Sequence, residues 1–132
     1  VTEHAISAER GEVPVTLEGV TYPMRPSGAA QMAIEDQLGT TIPELWFRMI
    51  ALWKRASGEA AEGAAGLTLK QMAVVITECI KAAGRDRQDK ALQSFTADRI
   101  AELIADQRMS YNEPLAKIIG GMLSKEADEK KA

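Results

Sequence analysis

Val13-Pro14-Val15-Thr16-Leu17-Glu18-Gly19-Val20-Thr21-Tyr22-Pro23-Met24 is the stretch whose reading decides the fold. Apolar side chains alternate on both sides of Glu18-Gly19, the period of a strand with one buried face. With Glu18 and Gly19 as a two-residue turn, Leu17 faces Val20, Val15 faces Tyr22 and Val13 faces Met24. All six apolar side chains then share one face, and a slip of one residue would scatter them. The stretch through Arg25 therefore reads as a β-hairpin. Glu-Gly is a weaker turn than Asn-Gly. Pro14 and Pro23 cannot donate ladder bonds, which predicts free edges. A two-stranded ribbon is marginal alone, so its apolar face must lie on helices.

The rest of the chain supplies those helices. Ser27 is placed to cap one that runs to about Leu38 and stops at Gly39, with Ile34 and Leu38 inward. Thr41 and Glu44 have capping-box spacing, and Pro43 sits in the first turn, where proline is tolerated. In the helix that follows, Leu45, Trp46, Met49, Ile50, Leu52 and Trp53 fall on one stripe. Arg48 and Arg55 lie opposite, and Phe47 falls off the stripe near Lys54. Thr68 and Gln71 repeat the box, with Leu67 and Met72 as its staple, and the helix should reach Ala83 before Gly84. Its inner face holds Leu69, Met72, Ala73, Ile76, Cys79 and Ile80, while Val74 falls on the outer face beside Lys70 and Lys81. Arg85 to Lys90 reads as a loop. Phe95, Thr96 and Ile100 open another helix, carrying Leu103 and Ile104 to about Arg108. A last one starts at Ser110 with Glu113, or at Asn112 with Pro114 just inside, and is lined by Leu115, Ile118, Ile119, Met122 and Leu123. Gly120 and Gly121 weaken its second half by roughly 1 kcal/mol each.

The sequence thus predicts an α+β fold, mostly α, with an N-terminal β-hairpin packed on a bundle of about five helices. Residues 1–9 read as a flexible arm, 10–124 as one domain, and 125–132 as a charged, frayed tail. Inside the domain, 57–66 is rich in Gly, Ala and Glu and reads as a flexible linker.

Composition bounds the function. Net charge is -3 and the pI is near 5.2, the wrong balance for a protein held to nucleic acid by phosphate contacts. Cys79 stands alone, so no intramolecular disulfide forms and a reducing compartment suits the chain. No segment has the length of an apolar membrane span, and no signal-peptide pattern opens the sequence. These features predict a cytoplasmic protein.

Residues with chemistry are scarce. His4 is the single histidine and sits in the arm, so the sequence offers no zinc site. Cys79 lies on an apolar helix face with no histidine to act as its base, and reads as core. Glu35 and Asp36 are neighbours on a helix and point about 100° apart, so they read as a solvated face rather than an acid/base pair. Lys70 follows Thr68 in the wrong order for a phosphate loop. We therefore expect no catalytic residue, cofactor or metal, and read the chain as a protein-binding module. Trp46 and Trp53 read first as core, because theirs is the stripe the hairpin must cover; the alternative is a partner groove. Phe47 and Val74, off the expected core faces, complete the candidate partner-binding set.

One set of residues carries a resemblance. Arg10-Gly11-Glu12, Gly19, Tyr22, Arg25-Pro26 and Ile34-Glu35 followed by Gly39 resemble a family of small proteins encoded among the tail genes of gene transfer agents and related phages. The likeness covers roughly residues 10 to 80 and continues as helix order alone. It departs at Ser27-Gly28, where the family pattern has a threonine and an aromatic. The resemblance implies a tail morphogenesis protein without enzymatic activity or cofactor. Such proteins are similar to tail assembly chaperones, which hold the long tape measure protein while the tail tube protein polymerises around it. The implied partners are the tape measure and tail tube proteins, with self-association open. The implied place is the bacterial host cytoplasm, or the virion tail if the protein is a permanent tube-associated component. A host-encoded helical adaptor is the reading from outside that family.

Overall fold

The computed structural model describes residues 5–58 and 66–131, with side chains described to residue 124. After a single 3-10 turn at Ala8–Arg10 comes the hairpin, β1 (Val13–Leu17) and β2 (Val20–Met24), in the predicted register. Glu18 (φ 48°) and Gly19 (φ 80°) are both left-handed, as a type I′ turn requires. Hydrogen-bonded and non-bonded pairs alternate along an antiparallel ladder. Because Leu17↔Val20 closes the turn as a bonded pair, Pro14↔Pro23 falls on a non-bonded one. Both proline nitrogens therefore point away from the ribbon. They cost no ladder bond and blunt both edges against further strands.

Six helices follow: α1 (Gly28–Leu38), α2 (Ile42–Ala56), α3 (Leu69–Arg87), α4 (Lys90–Gln93), α5 (Ala97–Ile104) and α6 (Asn112–Lys131). α4 is a single turn, which leaves five longer ones. The caps sit where the sequence puts them. Ser27, Thr41, Thr68 and Thr96 each accept a backbone N–H from three residues on. Only Thr68 and Gln71 complete the reciprocal box.

α3 is the axis of the fold. Every residue from Met72 to Ile80 is buried, because β2, α1, α4, α5 and α6 surround the helix. Val74 is only 3% exposed, which corrects its expected place on an outer face. A helix enclosed by neighbours has no outer face over its middle turns, so angle alone misplaces its residues. Gly84 is corrected too. It does not end α3 but lets α4 approach: a Cβ there would lie 2.7 Å from Leu92 Cβ. The expected loop at 85–90 is largely the last turn of α3 with its left-handed cap at Gln88 and the N-cap Asp89 of α4.

The N-terminal arm is fastened from Ala5 onward rather than loose. Gly11 is left-handed (φ 75°), and the residues beside it turn onto the end of α3. Arg87 grips the buried Glu12 carboxylate with both terminal nitrogens, Nη2 to Oε1 at 2.7 Å, and also donates to the Ala5 carbonyl at 2.6 Å. The Ser7 N–H donates to the same carboxylate at 2.8 Å. Asp86 pairs with Arg10 and, at 2.9 Å, with Arg25. Burial would raise the Glu12 pKa, but hydrogen bonds from Arg87 and the Ser7 amide, with the Arg87 charge, outweigh it and hold the carboxyl below its ordinary value.

At the other end, α6 runs to Lys131, where a frayed tail is expected from residue 125. His4 and most of the expected linker at 57–66 lie outside the described residues. Where the chain returns, Gly66 is tied to α2 by two bonds with Arg48, N–H to carbonyl at 2.9 Å and Nε to carbonyl at 3.0 Å.

Candidate functional site

α2 rests mainly on α6, with a smaller contact to α1. The hairpin does not cover its stripe, contrary to expectation; β2 lies on α3 and β1 on α6, while α6 packs along α2. Ile42, Leu45, Met49 and Ala51 are buried. Trp46 is half-buried beside α6, where a Cβ on Gly120 would come within 3.3 Å of its ring. The glycine that weakens α6 locally is thus the one that admits the indole. Trp53 meets Trp46 edge to face, with ring centroids 5.7 Å apart, a favoured aromatic geometry. Trp53 itself is 43% exposed and Phe47 is 62% exposed.

Phe47, Ile50 and Trp53 are spaced three apart, which places them on one ridge of the helix surface. Ile50 is half-buried, so the ridge is a continuous apolar strip with an aromatic at each end. Glu44 stands before it and Lys54 after it, both exposed. Of the four residues singled out in the sequence, three belong to this helix. Trp46 anchors it to α6, Trp53 bridges from that anchor to the surface, and Phe47 stands outside. Val74 is withdrawn from the set, since α3 would have to leave the core to present it.

Met32 on α1 and Met109 before α6 are also exposed, at 73% and 69%, and were not singled out. Met32 had a legible signal, since it lies two residues before Ile34 and hence about 200° around the helix from the buried face. Met109 had none. It sits in the 3-10 segment Ala105–Tyr111, where Gln107 leaves helical geometry and the helix expected to reach Arg108 has ended at Ile104.

The residues with chemical potential are engaged in holding the fold. Glu35 does not form a solvated face: its Oε2 accepts the Ile42 N–H at 2.9 Å, tying α1 to the start of α2. Glu78 is buried, with Gln37 donating to it at 3.0 Å and the Lys81 ammonium forming a looser ion pair at 3.8 Å. Burial, with the Glu78 charge beside it, pushes the Cys79 thiol far up, so it stays protonated. A cleft of about 410 Å³ separates β1 from the start of α6, but Tyr111 donates across it to the Thr16 carbonyl at 3.2 Å, and Lys117 and Glu113 pair with each other. Among the described residues no group of three or more His, Cys, Asp or Glu converges as a metal site. No described helix is long and apolar enough to cross a membrane.

The residues that carry the family resemblance also have structural roles. Arg10, Glu12 and Arg25 clasp the end of α3, Gly11 and Gly39 are left-handed, Ile34 is core, and Glu35 joins two helices. Compared with protein-family models, curated proteins and solved structures, the chain matches none.

Proposed function

We propose that this chain is a non-enzymatic tail morphogenesis protein, a tail assembly chaperone that receives an apolar stripe of the tape measure protein on α2. The observation that carries the reading is the exposed ridge Phe47-Ile50-Trp53 on a helix whose opposite side is packed into the core. Aromatic side chains at the surface of a rigid helix are the usual anchors of a protein interface, and an amphipathic partner helix is read by such i, i+3 spacing. The family resemblance supplies the identity of the partner, and its residues bear on the shared fold rather than on the contact.

The test is co-expression with the longest helical protein encoded beside this gene, followed by affinity capture. The expected result is a soluble partner that co-purifies, and a complex weakened by Phe47→Glu with the circular dichroism of the free chain unchanged. A partner that precipitates regardless, with this chain found stoichiometrically in purified particles, makes it a permanent tail component. A gene neighbourhood without capsid and tail genes removes the tail reading altogether.

A further inference from the structure

We infer that the α2 ridge is covered, in the free protein, by the α2 ridge of a second copy of this chain, packed antiparallel about a two-fold axis. The inference shares the exposed face with the proposed function, but does not depend on the identity of a tail partner.

The charges on α2 select this occupant. Thr41 Oγ1 takes the Glu44 N–H at 3.2 Å, yet Glu44 does not return the bond as Gln71 does to Thr68. Its carboxylate is left in solvent at the helix start, without an ionic partner among the described residues. Lys54 is exposed at the helix end, also without an ionic partner among the described residues. The two are ten residues apart, about 15 Å along the axis, and lie on the exposed side with the apolar ridge between them. An acid at one end, a base at the other and an apolar strip between form a self-complementary pattern. Two copies related by a two-fold axis near residues 48 and 49 set Phe47 of each opposite Ile50 of the other. The same operation brings Glu44 of each copy near Lys54 of the other, so two ion pairs close the ends. Antiparallel helices also align their dipoles favourably. A parallel arrangement would set like charges side by side. A long partner helix must displace the second copy to reach the ridge, which makes pairing a means of keeping the face covered until the partner arrives.

The experiment is sedimentation equilibrium of the full chain alone over a concentration series, with tryptophan fluorescence read in parallel. Both tryptophans of the chain lie on α2, so the emission reports on that helix. The wild type is expected to dimerise, with a shift in emission on dilution. Glu44→Lys and Lys54→Glu each set two like-charge pairs by symmetry, and each raises the dissociation constant about tenfold. The double variant Glu44→Lys with Lys54→Glu restores wild-type association, and Phe47→Glu leaves a folded monomer. A wild type that stays monomeric throughout overturns the inference, as does a dimer indifferent to both charge reversals or one the double variant fails to restore. Since no tail protein is present, each of these outcomes leaves the capture experiment with the tape measure protein to be judged separately.

Discussion

Val74 on α3 and Phe47 on α2 occupy equivalent places in the sequence pattern, each an apolar residue off its helix's main stripe beside a lysine. In the fold they part company, Val74 at 3% exposure and Phe47 at 62%. The difference lies in the number of neighbours. α3 is enclosed by the hairpin and four helices, so its stripe is only the most apolar part of a surface buried all round. α2 rests mainly on α6, and the side away from that contact stays bare. Amphipathic periodicity therefore places Phe47 correctly on the peripheral helix and misplaces Val74 on the central one, and even on α2 it sets inward the Trp53 that the fold leaves 43% exposed.

The strongest way to break this comparison is to place the same charge at both positions. Val74→Glu should cost at least about 4 kcal/mol, since it buries an unpaired carboxylate in the core. Phe47→Glu should stay within about 0.5 kcal/mol of wild type. Urea unfolding of both variants decides the matter, and equal losses would show that the two helices are enclosed alike.

Next in size is the fastening of α3 at its end. Arg87→Ala leaves the buried Glu12 carboxylate without its main partner and is expected to cost roughly 2 to 3 kcal/mol. The sign of the pH dependence follows from the lowered pKa of Glu12. A carboxyl held below its ordinary 4.5 in the native state adds stability above about that pH and loses it as the pH falls through the lowered value. Glu12→Gln should flatten that acid limb of the stability curve. An unchanged acid limb would mean that the clasp does not bind the arm to α3 in solution.

The glycines sharpen the contrast at smaller amplitude. Gly84→Ala drives a Cβ against Leu92 and the backbone of α4 and should destabilise by about 1 to 3 kcal/mol. Gly121→Ala meets nothing within 4 Å and should stabilise α6 by up to about 1 kcal/mol through helix propensity. Gly120→Ala should gain less, because its Cβ presses on the Trp46 ring. Thermal melts of the three variants rank them, and a gain at Gly120 equal to that at Gly121 would remove the packing role given to Trp46.

The hairpin and the helix starts were legible because their determinants are local. Alternation around Glu18-Gly19 fixes a register that only one turn satisfies, and a hydroxyl three residues before an amide makes a cap wherever the helix lies. Three of the four candidate partner residues were legible as members of α2 for the same reason. Less could be read where the partner is remote. The Glu12–Arg87 bond spans 75 residues, and nothing near Arg10 or Glu12 announces that the arm has a place to bind. Gly84 carries the same local signature whether it stops a helix or admits one.

By itself, then, the sequence determined the strand pairing, the order of the five longer helices and the caps of four of them at Ser27, Thr41, Thr68 and Thr96, since each is settled by groups a few residues apart. Tertiary structure decided which helix is surrounded and which keeps a bare side. It thereby separated Val74 from Phe47, made α6 rather than the hairpin the support of Trp46, and turned the arm into a clasp. Enclosure depends on how many elements converge on a helix, and no window along the chain contains that number.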